Sequence, residues 1–195
     1  NWWTTEHRMC SGVRLVIMRI ITGSYKGRRL KVSKTGIRPT KAIVRSAIFN
    51  ILGEKINNAF VVDIFAGTGA MGIEALSRGA RFCVFIEKYP FTLLKNIKEM
   101  DLDKRIKVIK LDFRPGLKKL RGTEFDIAFI DPPYKTEYLH EALELLYYYR
   151  LLKKDSIVVI EYAHFNPFLN LDEYNIIKEK RYGDTIVSFL KLKRS

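Results

Sequence analysis

Four consecutive residues, Asp131, Pro132, Pro133 and Tyr134, carry the plainest chemistry in this chain. An exocyclic amino group on a nucleobase shares its lone pair with the ring and attacks weakly until acceptors hold its hydrogens. The Asp131 carboxylate and the Pro132 carbonyl can supply two such acceptors, and Pro133 stiffens the turn that carries them. Tyr134 can stack on a base swung out of its helix. A plain loop after a strand uses the same residue types for nothing more than a turn, so the companions of these four residues decide between the two readings.

Those companions lie upstream. Gly67-Thr68-Gly69-Ala70-Met71-Gly72 directly follows the apolar run 60–65, and Glu87 ends the next apolar run, 82–87. Glycines at this spacing let the chain turn tightly and come close to a ligand, and an acid ending the second strand can accept from both hydroxyls of a ribose. Asp63 precedes the loop, where it would repel the pyrophosphate of a dinucleotide and attract the positive sulfonium and ammonium of S-adenosylmethionine. Spacing and charge together predict S-adenosylmethionine as the cofactor. Asp112 and Phe113 follow the third strand and suit two roles equally. They could be an acceptor for the adenine amino group and an aromatic shelf for its ring, or a helix N-cap and a core phenylalanine.

Bringing these residues to one edge requires a parallel sheet. Apolar runs at 60–65, 82–87, 106–110, 125–130, 156–162, 174–181 and 185–192 alternate with helical stretches at 70–78, 90–100, 114–120 and 137–150. This is the pattern of strands joined by crossover helices. The short connection Tyr182-Gly183-Asp184 suits only antiparallel neighbours. The expected fold is α/β, a doubly wound and mostly parallel seven-stranded sheet of the Rossmann-like class that ends in an antiparallel hairpin. In such sheets ligands bind at the carboxyl ends of the strands, where the glycine loop, Glu87, Asp112 and Asp131 all fall. Ahead of the sheet, runs at 19–22 and 28–32 predict a small hairpin. Thr40 then caps a helix in which Val44, Ala47, Ile48 and Ile51 recur until Gly53 ends it.

Charge separates the chain into parts. Lys and Arg number 35 against 21 Asp and Glu, a net charge of +14. Between Met18 and Asn58 stand ten basic residues and one acid, Glu54, so this stretch alone carries +9. Solubility needs no such imbalance, and a polyanionic partner does. Residues 1–17 are expected to be an extension outside the folded part, 18–58 a basic RNA-contacting module, and 59–195 the S-adenosylmethionine-dependent domain. The two cysteines, Cys10 and Cys83, and the three histidines have no metal-ligand spacing, so neither a disulfide framework nor a metal site is expected. No apolar run has the roughly 18 residues of a membrane span. A cytoplasmic monomer without membrane contact is the expectation.

The residues also resemble a known family. Asp63-Ile64-Phe65-Ala66-Gly67-Thr68-Gly69-Ala70-Met71-Gly72-Ile73-Glu74-Ala75-Leu76-Ser77-Arg78-Gly79-Ala80 closely resembles the cofactor motif of the RsmD family, bacterial methyltransferases that act on a guanine amino group in small-subunit (16S) ribosomal RNA. Arg19-Ile20-Ile21, Lys26-Gly27-Arg28, Arg38-Pro39-Thr40, and Arg45 with Phe49-Asn50-Ile51-Leu52 are similar to its N-terminal pattern, and the likeness runs from Met18 to about Lys193. At the helix start Ala42, Ile43 and Ser46 depart from it. The resemblance implies cofactor contacts from Asp63, Phe65, Ala66, Gly67, Thr68, Gly69 and Gly72, and from Glu87, Lys88, Asp112, Phe113 and Asp131. It implies catalysis by Asp131, Pro132, Pro133 and Tyr134, and RNA contacts from Arg28, Arg29, Lys31, Arg38, Thr40 and Arg45. The implied partner is ribosomal RNA or the small ribosomal subunit. Three other readings stay open: amino methylation of adenine in DNA or RNA, which uses the same tetrapeptide; a dinucleotide-dependent oxidoreductase; and a non-catalytic RNA-binding or ribosome-assembly factor.

Overall fold

The computed structural model describes residues 18–32, 40–133, 136–164 and 171–193. Its frame follows from strands whose side chains are apolar on both faces. Val61, Cys83, Phe85, Ile127, Phe129, Ile157 and Val159 enter one core, while their neighbours Val62, Ile64, Val84, Ile86, Ala128, Ile130, Val158 and Ile160 enter the other. Period-two alternation with no polar face leaves both sides of the sheet to be covered by helices.

The strands are β1 (Met18–Arg19), β2 (Arg29–Leu30), β3 (Phe60–Ile64), β4 (Phe82–Ile86), β5 (Ile106–Ile109), β6 (Phe125–Ile130), β7 (Leu152–Ala163), β8 (Tyr174–Tyr182) and β9 (Thr185–Leu192). The helices are α1 (Thr40–Leu52), α2 (Ala70–Ser77), α3 (Phe91–Met100), α4 (Phe113–Lys118) and α5 (Thr136–Tyr148). β1 and β2 form a separate two-stranded ladder, and the main sheet runs β5-β4-β3-β6-β7-β9-β8. Pairing is parallel from β5 to β7 and antiparallel for β9 and β8. The chain leaves β3 toward β4 and β5, then returns to place β6 on β3's other side. The crevice between β3 and β6 is therefore the topological switch point, where open parallel sheets bind ligands.

Val44, Ile48, Phe49 and Leu52 of α1, Ile73 and Leu76 of α2, and Leu93, Ile97 and Met100 of α3 fill one core. Phe113 and Leu117 of α4, with Leu139, Leu143 and Leu146 of α5, fill the other. The N-terminal segment thus shares a core with the sheet. Most expected elements are present with ends shifted by a few residues, two more substantially. The N-terminal hairpin pairs only Met18 with Leu30 and Arg19 with Arg29, because its turn docks on α2 instead of extending a ladder. At Gly23, φ is +88° and an added Cβ would fall 1.8 Å from the Ser77 carbonyl oxygen, so only glycine allows this approach. β7 begins at Leu152 instead of 156, since Leu152 pairs with Phe125 across a bulge and the Ser156 hydroxyl lies 2.6 Å from the Phe125 carbonyl oxygen. Among the described residues no helix is long and apolar enough to cross a membrane.

Candidate active site

The loop after β3 is built around two carboxylates. Asp63 lies in the centre of the sheet, in register with Phe85 and Phe129, and its Oδ2 accepts the Gly72 N–H at 2.9 Å. This bond ties the first turn of α2 back to β3. Burial, opposed by the Gly72 bond and aided by Asp131 and Glu87, pushes the Asp63 carboxyl up to about 7. Glu87, just past β4, accepts the Gly67 N–H through Oε2 and the Tyr89 N–H through Oε1, each at 2.8 Å. Gly67 and Gly69 have φ of +56° and +80°, and a Cβ on Gly69 would stand 2.4 Å from Leu93 Cδ1. The loop is therefore a backbone cradle whose shape depends on glycine and whose ends are held by acids.

Beside it Phe65, Phe113 and Tyr138 form an aromatic group, with ring centroids 4.8 Å apart for Phe65 and Phe113 and 5.6 Å for Phe113 and Tyr138. Asp112 is the N-cap of α4, accepting from the Arg114 N–H, and Phe113 is buried. The cap-and-core role is thus realised for this pair. Lys88 is exposed next to Glu87.

On the far side of the crevice, β6 is followed directly by Asp131 and Pro132. Asp131 is half exposed, with the Lys41 ammonium of α1 3.5 Å from its Oδ2. Tyr134 lies outside the described residues. A small cavity beneath this turn is lined by Asp63, Met71, Phe129, Asp131, Val159 and Glu161. Glu161 was not foreseen. Burial, together with Asp131 and against Lys41, pushes its carboxyl up to about 8. Its only signal in the sequence is one acid ending the apolar run Ile157-Val158-Val159-Ile160. Among the described residues no group of His, Cys, Asp and Glu could hold a metal ion. A separate cleft, lined by Lys55, Phe60, Arg81 and Asp126, opens at the amino ends of the strands, away from the strand ends that carry Asp63, Glu87 and Asp131.

Comparison with known proteins assigns this architecture. A family model described as Conserved hypothetical protein 95 matches residues 18–191. The Ribosomal RNA small subunit methyltransferase D of Haemophilus influenzae is 33% identical over 178 residues, which span 88% of this chain and 91% of that one. Its Escherichia coli counterpart is 35% identical over 148 residues, 74% of each chain. This chain belongs to the RsmD family. The solved Escherichia coli protein yhhF superposes with a TM-score of 0.81 at 30% identity, covering 91% of this chain and 99% of that one.

Two buried polar residues to which the sequence assigned no role join the RsmD cofactor elements to the N-terminal segment. Glu74 of α2 is 0% exposed. It accepts the Ile21 N–H at 2.8 Å, the Thr22 N–H at 3.1 Å and Arg78 Nε at 2.8 Å. Asn96 of α3, also 0% exposed, accepts the Lys31 N–H at 2.7 Å and donates to the Lys31 and Thr68 carbonyls at 3.0 and 2.9 Å. One side chain thereby links the glycine loop to the basic segment.

The six expected RNA contacts divide accordingly. Arg45 is corrected. It is 3% exposed, donates to the Arg19 carbonyl at 2.6 Å and lies 3.7 Å from Glu74, so it holds the fold together and offers nothing to a phosphate. Its burial lowers its pKa. Arg28 is exposed but donates at 2.9 Å to the Glu99 carbonyl at the end of α3, and Lys31 pairs with Glu99. Arg29 is exposed. Arg38 lies outside the described residues, as does the Thr40 side chain.

Proposed function

We propose that this RsmD-family protein transfers a methyl group from S-adenosylmethionine to the exocyclic amino group of a guanine in small-subunit ribosomal RNA. The observation that carries the reading is the placement of Asp131 and Pro132 across the switch-point crevice from the glycine loop and Glu87. A nitrogen held by the first pair would face a cofactor held by the second. The relatives' names supply the RNA, and the excess of basic residues in 18–58 suits a phosphate backbone.

The cradle fits this cofactor on chemical grounds. Glu87 and Asp131 make its mouth anionic above the buried Asp63, which suits a cation and opposes a pyrophosphate. Glu87 keeps lone pairs for ribose hydroxyls beyond its two backbone bonds, and the partly exposed Phe65 ring, backed by the buried Phe113, offers an aromatic wall for adenine. When bound, S-adenosylmethionine supplies a methyl group on positive sulfur, whose carbon–sulfur bond breaks as the nitrogen attacks. Asp131 and the Pro132 carbonyl accept the amino hydrogens, free the lone pair from the ring and stabilise the positive charge that appears on nitrogen, which is discharged when one of those hydrogens leaves as a proton by way of the Asp131 carboxylate to water. Tyr134 stacks on the flipped base, and Pro133 limits reorganisation of the turn. Arg28, Arg29, Lys31 and Arg38 contact the phosphate backbone.

The test uses small-subunit particles from cells lacking the modification, incubated with the protein and methyl-labelled S-adenosylmethionine. Digestion and mass spectrometry should find the label in N-methylated guanosine. Label in adenosine would move the activity to the other base, and no incorporation into RNA would overturn the reading.

A further inference from the structure

The segment from Lys88 through α3 leaves two large aromatic rings in solvent beside the cofactor loop. Tyr89 is 77% and Phe91 70% exposed. The Lys88 ammonium lies 5.5 Å from the Tyr89 ring centroid and that of Lys95 4.0 Å from Phe91's. Phe91, Lys95 and Lys98 recur at spacings of four and three, one outward helix face, and all three are exposed. From Lys88 to Lys98 every charged residue is a lysine. At the far end of α3, Arg28 donates to the Glu99 carbonyl. Arg28 and Arg105 both stand over the Tyr25 ring, at 5.7 and 5.8 Å. Basic and aromatic side chains therefore stand at both ends of α3, on the hairpin and at the cofactor edge, with Glu99 between them held by Lys31. At the cofactor edge the Tyr89 N–H is held by the same Glu87 carboxylate that holds Gly67.

We propose that this face of α3 is a second RNA contact, a track on which nucleotides flanking the methylated base lie as they run between the N-terminal module and the active site. It rests on the reading of RNA as the substrate. Exposed rings lose free energy in water unless a partner covers them. The partner that fits has flat π faces to stack on rings and negative charge to meet the lysines beside them, which single-stranded RNA provides in every nucleotide. An apolar protein surface would leave the lysines unanswered.

Two double variants separate the components. Tyr89→Ala with Phe91→Ala should weaken binding of unmodified 16S RNA roughly thirtyfold or more, since each base stacked on an aromatic ring contributes about 1–3 kcal/mol. The salt dependence should not change. Lys95→Ala with Lys98→Ala should weaken it as well, and should lower the slope of log affinity against log salt by about 0.7 per lost phosphate contact. S-adenosylmethionine affinity should match the parent in both. A photoreactive benzophenone side chain at position 91 should crosslink to RNA in small-subunit particles. Parent-like RNA affinity in both variants, crosslinks to ribosomal protein alone, or weakened cofactor binding with RNA binding intact would each overturn the proposal. A parent protein that fails to methylate the particles would overturn the activity reading instead, which the binding comparison does not depend on.

Discussion

At the catalytic edge the fixed charges are acids and the backbone holds them; in the N-terminal segment they are bases, and an acid from elsewhere holds the innermost one. Asp63 and Glu87 each accept a glycine N–H from the loop, so the carboxylates and the cradle position one another. Around the hairpin, Glu74 reaches from α2 to take two backbone N–H groups and two arginines, while Arg29 stays in solvent. The difference separates the signs of charge by task, with anions where a cationic cofactor is expected and cations where a polyanion is. Within each region the inner charges hold shape and the outer ones are left to meet a ligand.

Removing the inner charge of the basic region should have the largest effect. Glu74→Ala strands Arg45 and Arg78 beside two unpaired N–H groups, and breaking a buried ion pair from one side costs about 3–5 kcal/mol. Urea unfolding should register that loss, and a change below about 1 kcal/mol would remove Glu74 from the junction. At the acidic edge, Glu87→Ala should weaken S-adenosylmethionine binding by about 1–3 kcal/mol, the range for hydrogen bonds to a charged group. Calorimetric titration checks this, and an unchanged dissociation constant would place the cofactor elsewhere.

The acids also predict a pH dependence. Asp63 and Glu161 titrate higher when folded than when unfolded, pushed up to about 7 and about 8 chiefly by burial. The folded state therefore holds more protons between pH 4 and these values, and stability contributed by the neutral forms is lost as pH rises through that window. In the cofactor-free protein, Asp63→Asn should flatten the fall in melting temperature between pH 5 and pH 8. A slope identical to the parent's would mean Asp63 does not carry this effect. The smallest effect belongs to an outer charge. Arg29→Ala should leave stability unchanged and lower the salt slope of RNA binding by no more than about one, whereas Arg45→Ala should reduce stability. An Arg29 variant with unaltered salt slope would make that side chain mere solvation.

How far the sequence revealed these regions depends on how local the signals were. The strands themselves, the closing hairpin and the glycine loop with Glu87 follow from apolar runs and turn residues that are contiguous in the chain. The junctions do not, because Glu74 meets Ile21 and Asn96 meets Lys31 across 53 and 65 residues. A subtler signal did exist. Arg45 falls on the stripe with Ile48, Phe49 and Leu52, and Asn96 with Leu93, Ile97 and Met100, so helical periodicity placed both polar residues on buried faces. The family resemblance assigned Arg45 to RNA, although its position on the helix already argued for the core.

The most direct test of the central claim is single-turnover methylation of small-subunit particles by Asp131→Asn with saturating cofactor, measured beside cofactor and RNA affinities. The substitution keeps shape and one acceptor but removes the charge that would stabilise the developing positive nitrogen. The account predicts a rate about a hundred- to a thousandfold below the parent's, or roughly 3–4 kcal/mol at the transition state, with RNA affinity nearly unchanged and cofactor affinity reduced far less than the rate. A parent-like rate would contradict it, leaving Asp131 as a turn residue and the amino-methylation mechanism without its central group.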